Sequence, residues 1–148
     1  MSVFRAEVCK SAAEEHVVVA KESYDMGKYV LSCYVSGLSV ECLLRGYRVL
    51  KDPEFDAKHD LKLLSKICGW SAYFPLISAS KVDAAIRDIY GRLENAHRYR
   101  STREYRRFLQ HRGFHRGILG DFVKEQTRIA VRAAELLVRI GATSWPHD

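Results

Sequence analysis

An apolar stretch from residue 28 to residue 50 constrains the fold more than any other part of the chain. Between Tyr29 and Leu44 it carries a single charge, Glu41. Its length favours a helix because strands seldom exceed about ten residues. Apolar side chains fall on nearly every side of such a helix, a pattern typical of a helix buried all round. The stretch is too short and too rich in Ser, Gly and Tyr for a membrane span, so we predict the central helix of a bundle.

Glu41 interrupts this apolar stretch and needs a partner, because a buried charge is costly unless it is paired. Two partners are open: an arginine from a neighbouring helix in a structural ion pair, or a group from a second copy of the chain.

The composition fits one globular domain. The chain has 148 residues, of which 47% are hydrophobic, enough for a single core. We predict one domain over residues 1–148, with a loose tail over 142–148. Lys and Arg number 24 against 18 Asp and Glu, a formal charge of +6. This balance permits a polyanionic partner without demonstrating one.

The cysteines suggest a reducing compartment. There are four, at positions 9, 33, 42 and 68, and none belongs to a Cys-x-x-Cys pair. Cys33 and Cys42 are nine residues apart on one predicted helix, about 13 Å along its axis, which is too far for a disulfide. Residues 1–7 contain no apolar signal core. We expect a cytoplasmic protein with no membrane segment, no metal site and no cofactor.

Helical periodicity recurs along most of the chain. A first helix over 8–24 ends near Gly27, and Pro53 closes the central helix. A short helix is predicted over 58–68, an amphipathic helix from Val82 to about Asn95 with Ser78 or Ser80 as its cap, and a short helix over 102–110. Asp121 is the expected cap of the last helix, and Gly141 its end. The sequence thus predicts an all-α, up-and-down bundle of four to five helices.

Arginines and aromatic residues alternate between residues 92 and 116. Eight arginines and three histidines face only two acids, Glu94 and Glu104. Arginines can hold phosphates, and aromatic rings beside them can stack unpaired bases. The alternative is a solvated helix face with its aromatic rings packed inward. The candidate nucleic-acid-binding residues are Arg98, Tyr99, Arg100, Arg103, Arg106 and Arg107.

Four short elements follow one another along the chain. The first comprises Ala20, Tyr24, Gly27 and Tyr29, and the second is the Ser36–Leu44 run, Ser-Gly-Leu-Ser-Val-Glu-Cys-Leu-Leu. The third is His59-Asp60-Leu61 at the start of the next predicted helix, and the fourth is His97-Arg98-Tyr99-Arg100. Together they resemble the HEPN domain family (higher eukaryotes and prokaryotes nucleotide-binding), whose small members carry a later Arg-Tyr element like the fourth, and the match spans roughly residues 20–100. It implies a bundle of four or five helices, frequent dimerisation, and roles in toxin–antitoxin systems, phage defence and RNA processing.

The resemblance also implies a candidate catalytic pair. Many HEPN ribonucleases carry Arg followed four to six residues later by His, which together act on the RNA 2′-hydroxyl and phosphate. Such chemistry suits a histidine that exchanges protons and an arginine that holds a phosphate. Arg92–His97 and Arg106–His111 have this spacing, and we favour Arg92–His97 because it adjoins the Arg-Tyr element. On a continuous helix the pair would lie about 140° apart, so the chain must bend near Ala96.

Other candidate sites are weaker. His59 is either catalytic or, with Asp60, part of a helix start. His111 and His115 have the spacing of two metal ligands, but Gly113 lies between them and no third ligand follows. The chain has no glycine-rich phosphate loop and no nucleotidyltransferase signature, so a nucleotidyltransferase would be a separate partner.

Two functional classes therefore remain open. The first is a HEPN-type protein that binds RNA or a nucleotide, with metal-independent endoribonuclease activity as its enzymatic form. The second is a non-catalytic helical module that forms a homodimer or holds a protein partner.

Overall fold

The computed structural model describes residues 5–52 and 79–146. Within these ranges the secondary structure is helical throughout, which confirms the predicted all-α bundle of four to five helices. The helices are α1 Ala6–Asp25, α2 Tyr29–Lys51, α3 Ala79–Arg92, a 3-10 helix Asn95–Tyr99, α4 Thr102–His111 and α5 Phe122–Thr143. The predicted helix over 58–68, with His59 and Asp60, lies outside the described residues.

Helices α1 and α2 are joined by a short turn and pack along each other. Gly27 has a φ of 76°, the left-handed conformation that glycine adopts without a steric penalty. Its N–H donates to the Tyr24 carbonyl at 2.9 Å, which ends α1. Further along the pair, the Ser32 hydroxyl donates to the Ala20 carbonyl at 2.6 Å. Small residues thus let the two helices approach closely.

Helix α2 is the centre of the described bundle and contacts α1, α3, α4, α5 and the 3-10 helix. Leu43, Leu44 and Tyr47 are fully enclosed. The Tyr47 hydroxyl donates to the Gly141 carbonyl at 2.5 Å, which fixes α2 against the end of α5. These enclosed residues and contacts agree with the predicted central position of this helix.

One edge of α2 differs from the prediction. Leu31 is 44% exposed, and Tyr34, Leu38 and Glu41 are half-buried. Because these positions step by three or four residues, they form a single edge. The prediction that α2 is buried all round is therefore wrong along this edge, since an apolar side chain can remain partly in water without a partner.

Close packing on α2 gives a first testable prediction, at Gly37. A Cβ there would lie 2.1 Å from Leu93 Cδ1, whereas a Cβ at Gly91 would meet only the tip of the Phe114 ring, at 3.2 Å. Alanine is favoured over glycine in a helix by roughly 1 kcal/mol, but overpacking costs about 1–3 kcal/mol. We expect Gly37→Ala to lower the free energy of unfolding by about 1 kcal/mol net, measured by urea denaturation.

The matched control is Gly91→Ala, which we expect to be neutral or stabilising because the Phe114 ring tip needs to move only slightly. Equal stabilisation by both substitutions would contradict the close approach of α2 to Leu93.

Helix α3 ends at Arg92, three residues before the predicted end, so the predicted extension to Asn95 is wrong. Glu94 is extended, and the 3-10 helix then begins at Asn95. The Arg92 carbonyl is free to leave the helical pattern because side chains satisfy it: His97 Nε2 lies 2.7 Å away and Cys33 Sγ donates at 3.4 Å. Ser80 lies inside α3 and is not its cap, while Ser78 lies outside the described residues.

Helix α5 begins as predicted and ends later. The Asp121 carboxylate accepts from the Lys124 N–H at 3.0 Å, which confirms the predicted cap. The helix continues through Gly141 to Thr143. Trp145 is 6% exposed, and its ring packs edge-on against Tyr47 with 4.9 Å between centroids. The prediction of a loose tail is therefore wrong for residues 142–145.

The described cysteines are free thiols. Burial raises the pKa of Cys33 to about 11 and that of Cys42 to about 12, so both remain protonated at neutral pH. Cys68 lies outside the described residues. Within the described ranges, no helix combines the length and apolarity that crossing a bilayer requires.

Candidate nucleic-acid interface

Helix α4 has two contrasting sides. Tyr105 and Leu109 are fully enclosed by the bundle. The outer side exposes three arginines at the spacing of one helical face, followed by two polar residues: Arg103, Arg106, Arg107, Gln110 and His111. A capping box fixes the start of the helix, because Ser101 and Glu104 bond reciprocally to each other's backbone N–H. The short helix therefore presents its arginines on a defined surface.

The 3-10 helix extends this surface. Arg98 and Tyr99 are both exposed, and Tyr99 is 78% exposed. The Arg98 guanidinium lies 4.9 Å from the centroid of the Tyr99 ring. We call the set Arg98, Tyr99, Arg103, Arg106 and Arg107 the basic face. Five of the six predicted nucleic-acid-binding residues thus lie at the surface.

The arginines of the basic face form no ion pair with a carboxylate of the described residues. Among the described residues, no carboxylate lies within 4.0 Å of the side chains of Arg98, Arg103, Arg106, Arg107 or the nearby Arg116. Arginine is always protonated at neutral pH. Glu104 is exposed on the same helix, and its charge interacts with Arg107 although the two side chains form no ion pair. The basic face carries more positive than negative charge even so, as a surface that attracts phosphates requires.

Arg100, the sixth predicted residue, has a different environment. It is half-buried, and its guanidinium donates to Glu94 at 2.9 Å. Arg112 reaches the other oxygen of the same carboxylate at 3.5 Å. Both guanidinium groups also stack on Phe108, at 4.9 and 4.7 Å from its centroid. Arg100 is thus held in the fold, and its proposed contact with nucleic acid stays a prediction.

Arg106 is held by packing in a different way. Its guanidinium stacks over the Phe122 ring at 4.5 Å from the centroid, while the residue remains exposed. Such stacking restricts the rotamers of the side chain without using its hydrogen-bond donors. Less conformational entropy is therefore lost when Arg106 binds an anion.

The predicted catalytic pair Arg92 and His97 is brought together in the interior. The bend expected near Ala96 occurs, because the 3-10 helix returns His97 to the end of α3. His97 is 1% exposed. A carbonyl oxygen only accepts, so Nε2 carries the proton and donates to the Arg92 carbonyl at 2.7 Å. Nδ1 then accepts from Arg100 Nη1 at 3.0 Å.

The Arg92 guanidinium is also occupied. Its Nε donates to Gln126 Oε1 at 2.7 Å, and Nη1 donates to the Asp88 carbonyl at 3.0 Å. The group stacks on Phe114 at 4.5 Å from the ring centroid. Both ring nitrogens of His97 and two of the three guanidinium nitrogens of Arg92 are thus bonded inside the protein. The geometry favours a structural role, and the catalytic assignment stays a prediction.

Electrostatics around His97 agree with an internal, neutral imidazole. Burial lowers the pKa of His97 below its ordinary value, and the neighbouring Arg100 and Arg112 add to this, while the hydrogen bond to Arg92 and the charge of Glu94 oppose it. Burial likewise lowers the pKa of Arg92, although the guanidinium stays protonated.

A second Arg–His pair lies at the surface. Arg106 and His111 have the same five-residue spacing, and both are exposed on α4. Both side chains are therefore accessible from solvent, but on the continuous helix α4 they lie about 140° apart and the structure does not bring them together. The Arg92–His97 pair was favoured from the sequence because it adjoins the Arg-Tyr element.

The remaining predicted site residues have structural surroundings or cannot be placed. Glu41 pairs with Arg45 one turn later at 3.4 Å, so one ion-pair partner is on its own helix. His59 and Asp60 lie outside the described residues. In residues 5–52 and 79–146, no group of three His, Cys, Asp or Glu side chains is arranged to hold a metal ion.

Three contributors were not predicted as site residues. Gln126 binds the Arg92 guanidinium, Arg112 shares Glu94 with Arg100, and Arg116 adds an exposed charge beside α4. Gln126 had one detectable signal, since it is a polar residue on the otherwise apolar inner stripe of α5. The other two lie in an irregular segment where periodicity gives no orientation.

The resemblance to the HEPN family remains a prediction from the sequence elements. Comparison with protein-family models, with curated proteins and with solved structures found no match for this chain.

Proposed function

We propose that this protein is a HEPN-type RNA-binding protein that contacts single-stranded RNA through its basic face. The observation that carries the proposal is the set of exposed arginines on α4 and the 3-10 helix that have no carboxylate partner among the described residues. Guanidinium groups bind phosphate through paired N–H donors, so a row of them suits a phosphate backbone.

Tyr99 favours a single strand over a duplex. Its ring is 78% exposed beside Arg98. An unpaired base can stack on such a ring, whereas the bases of a duplex are already stacked and inaccessible to it. Tyr99 and Arg103 are four residues apart, at most about 15 Å between Cα atoms, so one short strand can reach both.

The biological setting follows from the family resemblance and belongs to the same proposal. It comprises a cytoplasmic toxin–antitoxin or defence component, a homodimer, and a separate nucleotidyltransferase-like partner. A nucleotide is the alternative ligand of the basic face. The competing function is a non-catalytic helical module that binds a second copy or another protein.

Metal-independent ribonuclease activity is a second candidate, supported by the bend that brings His97 onto Arg92. It is tested by incubating the purified protein with total RNA in the presence of a chelator. Cleavage that is lost in Arg92→Ala and His97→Ala, with folding verified by circular dichroism, would support this pair. Cleavage lost only in Arg106→Ala and His111→Ala would assign it to the exposed pair. Absence of cleavage leaves binding as the function.

Removing the charges of the basic face gives the test of RNA binding. We expect Arg103→Gln/Arg106→Gln/Arg107→Gln to weaken binding of a fluorescein-labelled single-stranded RNA at least tenfold. Each neutralised phosphate of a single strand contributes about 0.7 to the slope of log affinity against log salt. Three lost contacts should therefore reduce this slope by about 2, measured by fluorescence anisotropy between low and physiological salt.

The matched control is Arg87→Gln/Arg132→Gln/Arg139→Gln, which removes the same net charge from exposed positions on α3 and α5. We expect its salt slope to equal that of the unmodified protein. Equal weakening by both triple variants would show that only net charge matters. Failure of the unmodified protein to bind the RNA tightly would favour the interaction module.

A further inference from the structure

A groove between α3 and α5 lies apart from the basic face. The bond between Arg92 and Gln126 places the end of α3 beside the first turns of α5. Further along, the two helices leave a cavity of about 340 Å³. Its lining comprises Lys81, Ala84, Ala85, Asp88, Arg128, Ile129, Arg132, Ala133 and Leu136. None of these residues belongs to α4, the 3-10 helix or the connection between α4 and α5.

The floor of the groove is apolar, and several of its side chains are short. Ala84, Ala85 and Ala133 end at Cβ, while Ile129 and Leu136 are half-buried and line the cavity. The lining extends from Lys81 to Asp88 along α3 and from Arg128 to Leu136 along α5. Each of these stretches is about 10–12 Å long, or two turns of helix. A groove of this length, floored by alanines, admits the ridge of a third helix better than a flat surface does.

The charges of the groove are unbalanced. Asp88 pairs with Arg92 at 3.6 Å, and Arg128 pairs with Glu125. Lys81 and Arg132 are exposed and have no carboxylate within 4.0 Å among the described residues, although Glu125 interacts with Arg132 at a longer distance. Asp88 and Arg128 are each paired internally, so the lining that remains is positively charged. An apolar floor bordered by two cations that form no ion pair among the described residues is complementary to an apolar ridge flanked by carboxylates.

We infer that this groove binds an acidic amphipathic helix of a partner protein. Leucine-sized side chains of the partner enter the space above the alanines, and its Asp or Glu side chains pair with Lys81 and Arg132. The site is independent of RNA binding, because Arg132 lies about 15 Å along α5 from Phe122, the residue on which Arg106 stacks.

The test uses a synthetic 18-residue helical peptide, fluorescein-labelled, with leucine at positions i, i+3, i+4 and i+7 and glutamate on its flanks. A second peptide has lysine in place of glutamate. We expect the acidic peptide to bind at least tenfold more tightly than the basic one, by fluorescence anisotropy at physiological salt. Lys81→Glu/Arg132→Glu should reverse this preference, and the control Arg87→Glu/Arg139→Glu should leave it unchanged.

A steric variant separates groove binding from general electrostatics. Ala84→Trp fills the groove without changing a charge, and we expect it to weaken the acidic peptide at least tenfold while RNA affinity stays constant. Unchanged peptide binding by Ala84→Trp, or equal effects of the two double charge variants, would overturn the inference.

Two other occupants would also overturn it. Displacement of the peptide by millimolar octanoate with the same dependence on Lys81 and Arg132 would assign the groove to a small amphipathic anion. A dimer in analytical ultracentrifugation that Ala84→Trp dissociates would assign it to a second copy of this chain.

Discussion

Replacing Trp145 by alanine is expected to lower the free energy of unfolding by about 3–5 kcal/mol, the range for a buried Trp. The ring packs edge-on against Tyr47, and its tip lies 3.1 Å from the position of a Cβ at Gly46. Its removal therefore opens a cavity against α2, the centre of the described bundle. Urea denaturation followed by circular dichroism measures the loss.

Two controls separate the ring from its surroundings. Trp145→Phe retains an aromatic ring, so we expect it to recover more than half of the loss. Tyr47→Phe retains packing but removes the hydroxyl that donates to the Gly141 carbonyl, at a cost of roughly 1 kcal/mol. A loss below about 1 kcal/mol in Trp145→Ala would mean that the tail is loose, as predicted from the sequence.

The contrast between α5 and its tail shows which parts of the fold were predictable. Asp121 caps α5 as predicted because an Asp before an apolar periodic run has a local cause, the hydrogen bond to a free backbone N–H. Gly141 was predicted to end the helix because glycine disfavours helices. It lies inside α5 instead, since Leu43 packs where its Cβ would be. That contact spans nearly a hundred residues, so no local pattern reveals it.

Burial on α2 shows a similar limit. Apolar composition predicted the central helix, and the enclosed Leu43 and Leu44 agree with this. Composition does not distinguish those residues from Leu38, which is half-buried on the exposed edge. Which side of a uniformly apolar helix faces its neighbours depends on how the other helices cross it, and this is a property of the tertiary fold.

The candidate site was predictable in charge but not in orientation. The excess of arginines between residues 92 and 116 is a property of the sequence, and most of them are exposed. Arg92 and Arg100 belong to the same run and face inward. Their partners, Gln126 and Glu94, become adjacent only when α3, the 3-10 helix and α5 assemble. Sequence spacing therefore does not separate the exposed arginines of the candidate site from the inward arginines that stabilise the fold.

His97 links these inward arginines, and its protonation state is thereby coupled to folding. Neutral His97 donates to the Arg92 carbonyl and accepts from Arg100. A protonated ring cannot accept, and it would place a positive charge beside the Arg100 guanidinium. Burial first, and the charges of Arg100 and Arg112 in addition, lower the pKa of His97 below the value near 6.5 of an unfolded chain. The unfolded state therefore binds a proton before the folded state does.

We expect this difference to make stability depend on pH below about 6.5. Above that pH both states hold neutral His97, and its contribution to stability is complete. As the pH falls through 6.5 towards the lower pKa of the folded state, stability should decrease by up to about 1.4 kcal/mol per pH unit. Urea denaturation at several pH values measures the slope. His97→Gln should remove this component, whereas His111→Gln, at an exposed position, should retain it. An identical slope in His97→Gln would show that the imidazole is not held neutral in the folded state.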